Sequence, residues 1–176
     1  MKPVPSVLKI VDFAIIRMDF EFVAGENVDG SVNPMDYFRD YELDLDFSGG
    51  EGKYFQVTMS VDINNGSKPL PGYKISATVA TLFQFGDTSS ISADERNSME
   101  GFSTVYMALN NLRGIISGFT ANAPYGRYTL PSIDLNDLIR RKEKLEKASE
   151  IANKADLKAT KPKKKKPGKQ NKRMTK

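Results

Sequence analysis

The chain has 176 residues, with 26 Lys and Arg against 22 Asp and Glu and a formal net charge of +4. The charge is unevenly divided. Residues 1–139 carry 10 basic and 18 acidic side chains, a net of −8, whereas residues 140–176 carry 16 basic and four acidic ones, a net of +12. An acidic body followed by a basic segment is therefore expected, and each part needs its own explanation.

The composition excludes several classes of function. The chain has no His, no Cys and no Trp. Without His and Cys there is no Ser-His-Asp triad, imidazole base, structural zinc site, thiol chemistry or disulfide. We therefore expect a protein that is not an enzyme and that uses no cofactor. No cleavable leader and no run of about 20 uncharged apolar residues is recognisable, so a cytoplasmic chain without a membrane span is expected.

The first predicted element is a strand over Val7–Val23. In its second half charged residues alternate with apolar ones, which would form the buried face: Ile16, Met18, Phe20 and Phe22. The alternation breaks at residues 14–16, which predicts a bulge. Residues 24–34 are rich in Gly, Asn and Asp and predict a loop.

Three further strands are predicted from the same alternation. Tyr41–Phe47 places apolar residues on one face and a row of three carboxylates on the other: Glu42, Asp44 and Asp46. Tyr54–Ile63 and Tyr73–Phe85 also alternate. Between them, Asn64-Asn65-Gly66 predicts a hairpin turn, because Asn and Gly tolerate positive φ, and residues 69–72 lengthen the connection.

The apolar period then changes to that of a helix. Ser90 and Ser92 are candidate caps, and Ser92 with Glu95 matches a capping box. Residues at helical spacing then predict a long helix: Met99, Phe102, Tyr106, Leu109, Leu112, Ile115, Ile116 and Phe119. Residues 121–131 predict a loop, after which Ser132 or Asp134 caps a second helix.

This order predicts an α+β fold, in which a four-stranded antiparallel sheet is followed by a long helix and a second, C-terminal helix. We expect one domain over residues 1–139, a helical extension over 140–157 and a disordered Lys-rich tail over 158–176. The tail has almost no apolar residue to bury and so cannot offset its ordering entropy. A run of four lysines marks its centre: Lys163, Lys164, Lys165 and Lys166.

The carboxylates allow several interpretations. The row on the second strand is a solvated face, a metal or acid–base site, or a surface for a basic partner. Asp62–Gly66 weakly resembles a calcium loop, but its Gly is misplaced and no Glu follows at the required distance. A hairpin turn is therefore the better interpretation, and no metal is expected.

The tail and the apolar residues of the loops also leave alternatives open. The tail would bind nucleic acid, an anionic membrane, an acidic protein or ribosomal RNA, or would simply remain solvated. It lacks aromatic residues, so only sequence-independent, salt-sensitive attraction is supported. Large side chains in loop-like segments either fold over the core or line a groove for apolar peptides: Met35, Tyr37, Phe38, Tyr125 and Tyr128.

Four segments in this order resemble the SecB family of export chaperones, over roughly Ile10 to Ile139. Phe20-Glu21 is similar to the end of the family's first strand, and Leu43–Asp46 matches the LDLD that opens its second strand. Thr81–Phe85 is similar to the end of the fourth strand. Leu112–Ile116, and then Tyr128–Leu138, resemble the helix Arg and the proline-containing signature that follows it.

The resemblance implies a homotetrameric, ATP-independent chaperone that holds unfolded, export-bound polypeptides in apolar grooves. The groove residues that it implies are Tyr37, Phe38, Leu43, Leu45, Phe83, Phe85, Phe102 and Tyr106. It also implies an acidic face that docks the basic tail of the SecA motor, with these candidates: Glu21, Glu42, Asp44 and Asp46. Two acidic positions of the family are occupied here by Arg17 and Ser76.

Two other functions stay open beside the export chaperone. One is a nucleic-acid-binding or ribosome-associated protein that acts through the basic tail. The other is a SecB-like chaperone that serves a toxin–antitoxin pair.

Overall fold

A computed structural model describes residues 2–24, 41–49 and 54–159, with side chains up to residue 149. Four strands form one antiparallel sheet: β1 (Leu8–Val23), β2 (Tyr41–Gly49), β3 (Tyr54–Ile63) and β4 (Gly72–Phe85). Their order across the sheet is β1-β4-β3-β2. The predicted α+β class and strand count are confirmed, and each strand begins and ends within two residues of its predicted bounds.

The core lies on one face of the two central strands. Along β3 and β4, buried apolar residues alternate with half-buried, mostly polar ones, as the period of two requires. Their inward side chains include Met59, Val61, Ile75 and Val79, each no more than 1% exposed. Because only one face is covered, a one-residue slip would turn the whole apolar set to solvent, and this fixes the register.

The helical segment after the sheet is continuous from Ala93 to Thr120. It comprises α1 (Ala93–Ser98), a π-helical turn (Met99–Ser103) and α2 (Thr104–Thr120). The predicted capping box is confirmed, because Ser92 Oγ accepts from the N–H of Glu95 and the Glu95 carboxylate accepts from the N–H of Ser92. The helix α2 packs on β3 and β4 and buries Val105, Ala108, Leu109, Leu112 and Ile116.

The last described helix is α3 (Leu135–Ala159). Asp134 Oδ1 accepts from the N–H of Asp137 at 3.1 Å, so Asp134 is the cap rather than Ser132. Two compact units divide the chain, Met1–Lys142 and Glu143–Lys176. In the second unit Lys147 pairs with Glu143 at 3.7 Å, one helical turn away. No helix of the described residues is long and apolar enough to cross a membrane.

The edge strand β1 differs from its prediction. Pairing with β4 shifts register between Ile10 and Asp12 and again between Ile15 and Arg17. The second shift falls at the predicted bulge, and the first was not predicted. Two residues of the expected buried face are exposed, Ile16 by 63% and Phe22 by 39%, because β1 lies beyond the strands that α2 covers.

Candidate functional site

Three of the predicted groove residues lie inside the folded unit. Leu45, Phe83 and Phe85 are only 1%, 0% and 3% exposed and belong to the core. The ring of Phe55 stacks on those of Phe83 and Phe85 at centroid distances of 5.6 and 5.5 Å. The Arg96 guanidinium lies 5.0 Å above the Phe85 ring and closes this end of the core. These side chains therefore stabilise the fold, and another molecule has no access to them in this conformation.

The other predicted groove residues differ in accessibility. Leu43 is half-buried against the core. Phe102, in the π-helical turn, is 41% exposed, and Tyr106, in α2, is 51% exposed. Tyr37 and Phe38 fall outside the described residues. Of the predicted set, Phe102 and Tyr106 are thus the described side chains that offer large apolar area to a partner.

An aromatic cluster that sequence reasoning did not assemble lies where the end of β1 meets the end of α2. Five rings, from Phe20, Phe22, Tyr73, Phe119 and Tyr125, form it. Phe20 lies 5.5 Å from Tyr73 and 5.2 Å from Phe119, and Phe22 lies 5.3 Å from Tyr125, all between centroids and in tilted geometry. Such offset or tilted contacts are the ones that ring quadrupoles favour.

The centre of the aromatic cluster is held by the Tyr73 hydroxyl. It donates to the Gly126 carbonyl at 2.7 Å and accepts from the Tyr125 N–H at 2.9 Å. Burial raises the pKa of Tyr73, and the hydrogen bond from Tyr125 only partly opposes this rise. Tyr73 therefore remains a neutral anchor that ties the 121–131 connection to β4 and fixes Tyr125 beside β1.

Of the two aromatic residues in the connection after α2, one packs on the core and the other is exposed at the surface. Tyr128 is 6% exposed and folds over the core, while Tyr125 is 52% exposed and presents its ring at the surface. Thr120 Oγ1 accepts from the N–H of Tyr128 at 2.8 Å and thereby fixes this fold of the connection. The buried Tyr128 and the exposed Tyr125 are thus only three residues apart in the chain. The other three candidates, Met35, Tyr37 and Phe38, lie outside the described residues.

The outer edge of β1 extends the exposed apolar surface. Four of its side chains are 45–63% exposed: Ile10, Val11, Ile15 and Ile16. The strand pairs only with β4 in the described sheet, so its second edge leaves backbone N–H and C=O groups open. Long apolar edges of this kind favour pairing with another chain.

The acidic row on β2 has a partner in the same unit. The Lys142 ammonium lies 3.0 Å from Asp44 Oδ1 and 2.6 Å from Asp46 Oδ1. The Lys142 side chain is 17% exposed, against 61% and 69% for the two carboxylates. Burial alone would lower the pKa of Lys142, but the hydrogen bonds and charges of Asp46 and Asp44 outweigh burial and raise it.

Sequence reasoning placed Lys142 in the helical extension over residues 140–157, at the start of the basic segment, and gave it no partner. A signal for its actual role was present, because Leu135, Leu138, Ile139 and Lys142 recur at the spacing of one helix face. Leu135 is buried, and the two others pack against the core. A cation on a core-facing stripe has to reach a carboxylate at the edge of that core.

Another acidic candidate, Glu21, pairs with Lys74 at 3.2 Å on the adjacent strand. Arg17, one of the two positions where the resemblance implies an acid, pairs with Asp19. These residues border an open cleft of about 730 Å³ that also includes Ser76. Its mixture of cations and anions gives no preference for a ligand of either sign.

The calcium-loop alternative fails on the described residues. Asn64 uses its side-chain amide inside the protein, as a donor to the carbonyls of Leu70 and Tyr73 at 2.8 and 3.0 Å. Asp62 accepts from the side chain of Asn65 at 2.6 Å. No group of three carboxylates in the described part of the chain is placed to hold a metal ion.

No family model matches the chain, and no curated protein matches its sequence. Among solved structures it is similar to the SecB-like chaperone Rv1957 of Mycobacterium tuberculosis, in complex with a ChAD peptide from the antitoxin Rv1956 HigA1. The identity is 15% and the TM-score 0.43, over 72% of this chain and 91% of that one. A protein of unknown function from Streptococcus agalactiae matches with 10% identity and a TM-score of 0.39, over 72% of this chain and 97% of that one. At these values the fold class rests on the strand order and the helices themselves.

Proposed function

We propose that this protein holds non-native polypeptides on an exposed apolar surface, without a chemical step and without ATP. The observation that carries this proposal is the aromatic cluster. Three of its five rings keep large exposed areas, 39% for Phe22, 54% for Phe119 and 52% for Tyr125. They remain exposed even though ring contacts and the Tyr73 hydroxyl fix the cluster in place.

Such a surface suits clients of many sequences. Monomeric proteins rarely expose contiguous aromatic patches unless they bind something there. Burial of apolar area contributes roughly 2.5 kcal/mol for every ~100 Å² and is not directional, so it makes little demand on sequence. Fixed rings also lose little conformational entropy when a client covers them.

The edge of β1 adds a second mode of binding beside the aromatic cluster. An extended polypeptide can hydrogen-bond to the open backbone of an edge strand, while its side chains contact alternate residues of that strand. Ile10 and Ile15, on the N-terminal part of β1, are 45% and 49% exposed. The same strand carries Phe20 and Phe22, so a bound segment would extend from the edge into the aromatic cluster.

The proposal is tested by suppression of the aggregation of an unrelated, thermally unfolded protein, followed by light scattering. Phe119→Ser combined with Tyr125→Ser should reduce the suppression while the circular dichroism of the chain is unchanged. The matched control is Leu145→Ser, which removes an apolar side chain that is 68% exposed in the second unit. Absence of suppression by the unsubstituted protein at stoichiometric ratio contradicts the proposal.

A separate pair of variants tests the residues taken from the family resemblance. Phe102→Ser with Tyr106→Ser changes only exposed side chains, so the fold should persist. A loss of suppression in this pair, and not in the aromatic-cluster pair, would assign client binding to the helix. A loss in both would indicate one extended surface.

The resemblance to the SecB family supports finer features of the proposal. It adds export-bound chains as clients, action in the cytoplasm, and assembly into a dimer or tetramer, which analytical ultracentrifugation would measure. It also adds a basic partner on the acidic face, such as SecA. In this chain the part of that face with the highest density of acid is the row on β2.

The basic segment supports a second function. Residues 140–176 carry a net charge of +12, which favours a polyanion such as ribosomal RNA. Deletion of residues 158–176 should then abolish salt-sensitive RNA binding and leave aggregation suppression intact. If the deletion abolishes both, the tail takes part in client binding.

A further inference from the structure

The two register shifts of β1 keep an unbroken apolar strip on one face of the strand. Residues that pair across neighbouring strands share a face, and the β4 residues on the covered face are at most 4% exposed. Strict alternation from Leu8 would bring Asp12 onto this face, and the extra residues Val11 and Ile16 prevent it. The partners of the covered β4 residues are all apolar instead: Leu8, Ile10, Phe13, Ile15, Met18, Phe20 and Phe22.

The same bulges divide the open edge of β1 into three regular segments. Pairing with β4 is uninterrupted over Leu8–Ile10, Asp12–Ile15 and Arg17–Val23, that is, over three, four and seven residues. A bulge bends its strand and disrupts the ladder locally, so an added strand can pair regularly only between bulges. The longest segment, Arg17–Val23, is also the one that carries Phe20 and Phe22 of the aromatic cluster.

We infer that Arg17–Val23 is a strand-addition site for client segments in which apolar and polar residues alternate. This inference names the client class of the proposed function and rests on that function. The open N–H and C=O groups of an edge strand are matched by another extended backbone. The aromatic cluster alone makes little demand on sequence, whereas a paired strand turns alternate side chains to opposite faces of the sheet.

The two faces of this segment define what each side chain of the client meets. The covered face carries Met18, Phe20 and Phe22, and the opposite face carries Arg17, Asp19 and Glu21. Cross-strand neighbours on one face stabilise a strand pair when both are apolar or aromatic. A client segment with a period of two therefore buries its apolar residues against the first face and leaves its polar residues on the second.

A second copy of this chain fits the segment less well than such a client. The two-fold antiparallel register that uses all seven residues is centred on Phe20, and it places Asp19 opposite Glu21 twice. Like charges directly opposite each other destabilise a strand pair. A longer register has to cross the bulge at Ile16. A client with uncharged polar residues meets neither obstacle.

The inference is tested by calorimetric titration of the full chain with two synthetic heptapeptides of equal composition. In one, Val and Phe alternate with Ser and Thr, and in the other the apolar residues are grouped at one end. The alternating peptide should bind about tenfold more tightly, because only its apolar residues all face the covered side. Two further versions carry N-methyl groups on alternate residues, one version for each edge of the peptide. At least one should bind about tenfold more weakly, because it cannot donate to the strand.

Matched variants locate the site on β1. Phe22→Ser and Ile10→Ser each remove an apolar side chain from the same face of the strand, where the two residues are 39% and 45% exposed. Phe22→Ser should weaken binding of the alternating peptide about tenfold, whereas Ile10→Ser, which lies beyond both bulges, should change it less than about twofold. Hydrogen exchange of the unsubstituted chain is an independent measurement, in which the peptide should protect amides of Arg17–Val23 and not those of Leu8–Ile10.

Equal affinity for the alternating and grouped peptides, absence of binding by the alternating peptide, or no effect of either N-methylation would overturn the inference. Equal losses from Phe22→Ser and Ile10→Ser would do the same. So would self-association that already protects Arg17–Val23 without peptide, because a second copy would then occupy the edge. None of these results depends on aggregation suppression by the aromatic cluster, so failure of this inference and failure of the proposed function are distinguishable.

Discussion

The connection between β3 and β4 depends on one buried polar side chain, which makes Asn64 a sharp test of the structure. Asn64 is 0% exposed and has a positive φ of 58°. Its Nδ2 donates to the carbonyls of Leu70 and Tyr73, and its Oδ1 accepts from the Leu70 N–H at 2.7 Å. The side chain thereby satisfies three backbone groups in an eight-residue connection.

The expected cost of Asn64→Ala follows from these contacts. Each lost hydrogen bond contributes about 0.5–1.5 kcal/mol, and the buried backbone groups left without a partner place the sum towards the upper end of about 2–4 kcal/mol. Holding Ala in the left-handed region costs about 1 kcal/mol more. Asn64→Gly loses the same hydrogen bonds without the backbone strain, so it should destabilise by about 1 kcal/mol less than Asn64→Ala.

Asn64→Asp separates the donor contribution from the acceptor contribution. The new side chain keeps an acceptor for the Leu70 N–H but directs a carboxylate at two carbonyl oxygens. The pKa of that carboxyl should be raised, because both burial and the carbonyls disfavour its charge. The loss of stability caused by Asn64→Asp is therefore largest at neutral pH. It becomes smaller as the pH falls through the raised pKa, because the protonated carboxyl can again donate a hydrogen bond.

Urea unfolding followed by circular dichroism measures all three variants, with the shift in midpoint at constant slope giving the loss of stability. The expected order of stability at neutral pH is Asn64→Gly, then Asn64→Ala, then Asn64→Asp. A loss below about 1 kcal/mol for Asn64→Ala, or no recovery of Asn64→Asp in acid, would refute the assigned hydrogen bonds.

Three further predictions follow from individual contacts. Ser92→Ala should cost about 1 kcal/mol by removing the capping box, measured by urea unfolding. Hydrogen bonds from the Ser92 N–H and, second, from the Ser92 hydroxyl lower the pKa of Glu95, so their contribution is present above the unfolded pKa and disappears as the pH falls through the lowered value. Ala keeps the N–H and loses the hydroxyl, so NMR titration should show a partial rise of this pKa in Ser92→Ala. Thr120→Val should cost about 1–3 kcal/mol, because the buried N–H of Tyr128 loses its acceptor, and an isosteric change without cost would contradict that hydrogen bond. The raised pKa of Lys142 means that its bridge persists below the unfolded pKa and is lost as the pH rises through the folded value, so Lys142→Ala and the unsubstituted chain should converge in stability only in strong alkali.

The strands were predictable because the sheet has one covered face. Apolar and polar residues alternate over β2, β3 and β4, and this alternation indicates which side chains share a face. The predicted and observed ends of these strands agree within two residues. The first register shift of β1, near Val11, has no such signal, because exposed apolar residues on both sides of the strand leave the alternation uninformative. The π-helical turn at Met99–Ser103 is likewise invisible in a pattern that fits an α-helix.

The candidate site was only partly predictable, and the reason is physical. Alternation placed Leu45, Phe83 and Phe85 on one apolar face, but it could not show whether that face is covered by the chain's own helix. In the folded chain these three residues are buried in the core, and α2 packs on β3 and β4. The row on β2 was predicted with a basic partner as one of several alternatives, and its pairing with Lys142 required the position of α3.

The dimensions of the two layers explain where the accessible apolar surface lies. A helix is about 10 Å across, and strands are spaced about 4.8 Å apart, so one helix covers about two strands. The helix α2 packs on the two central strands, β3 and β4, and does not cover the edge strand β1. Yet β1 carries Ile10, Val11, Ile15 and Ile16, residues whose exposure costs free energy in water. Since no element of the first unit covers them in the described structure, this edge and the adjoining aromatic cluster form the surface that a second polypeptide would stabilise.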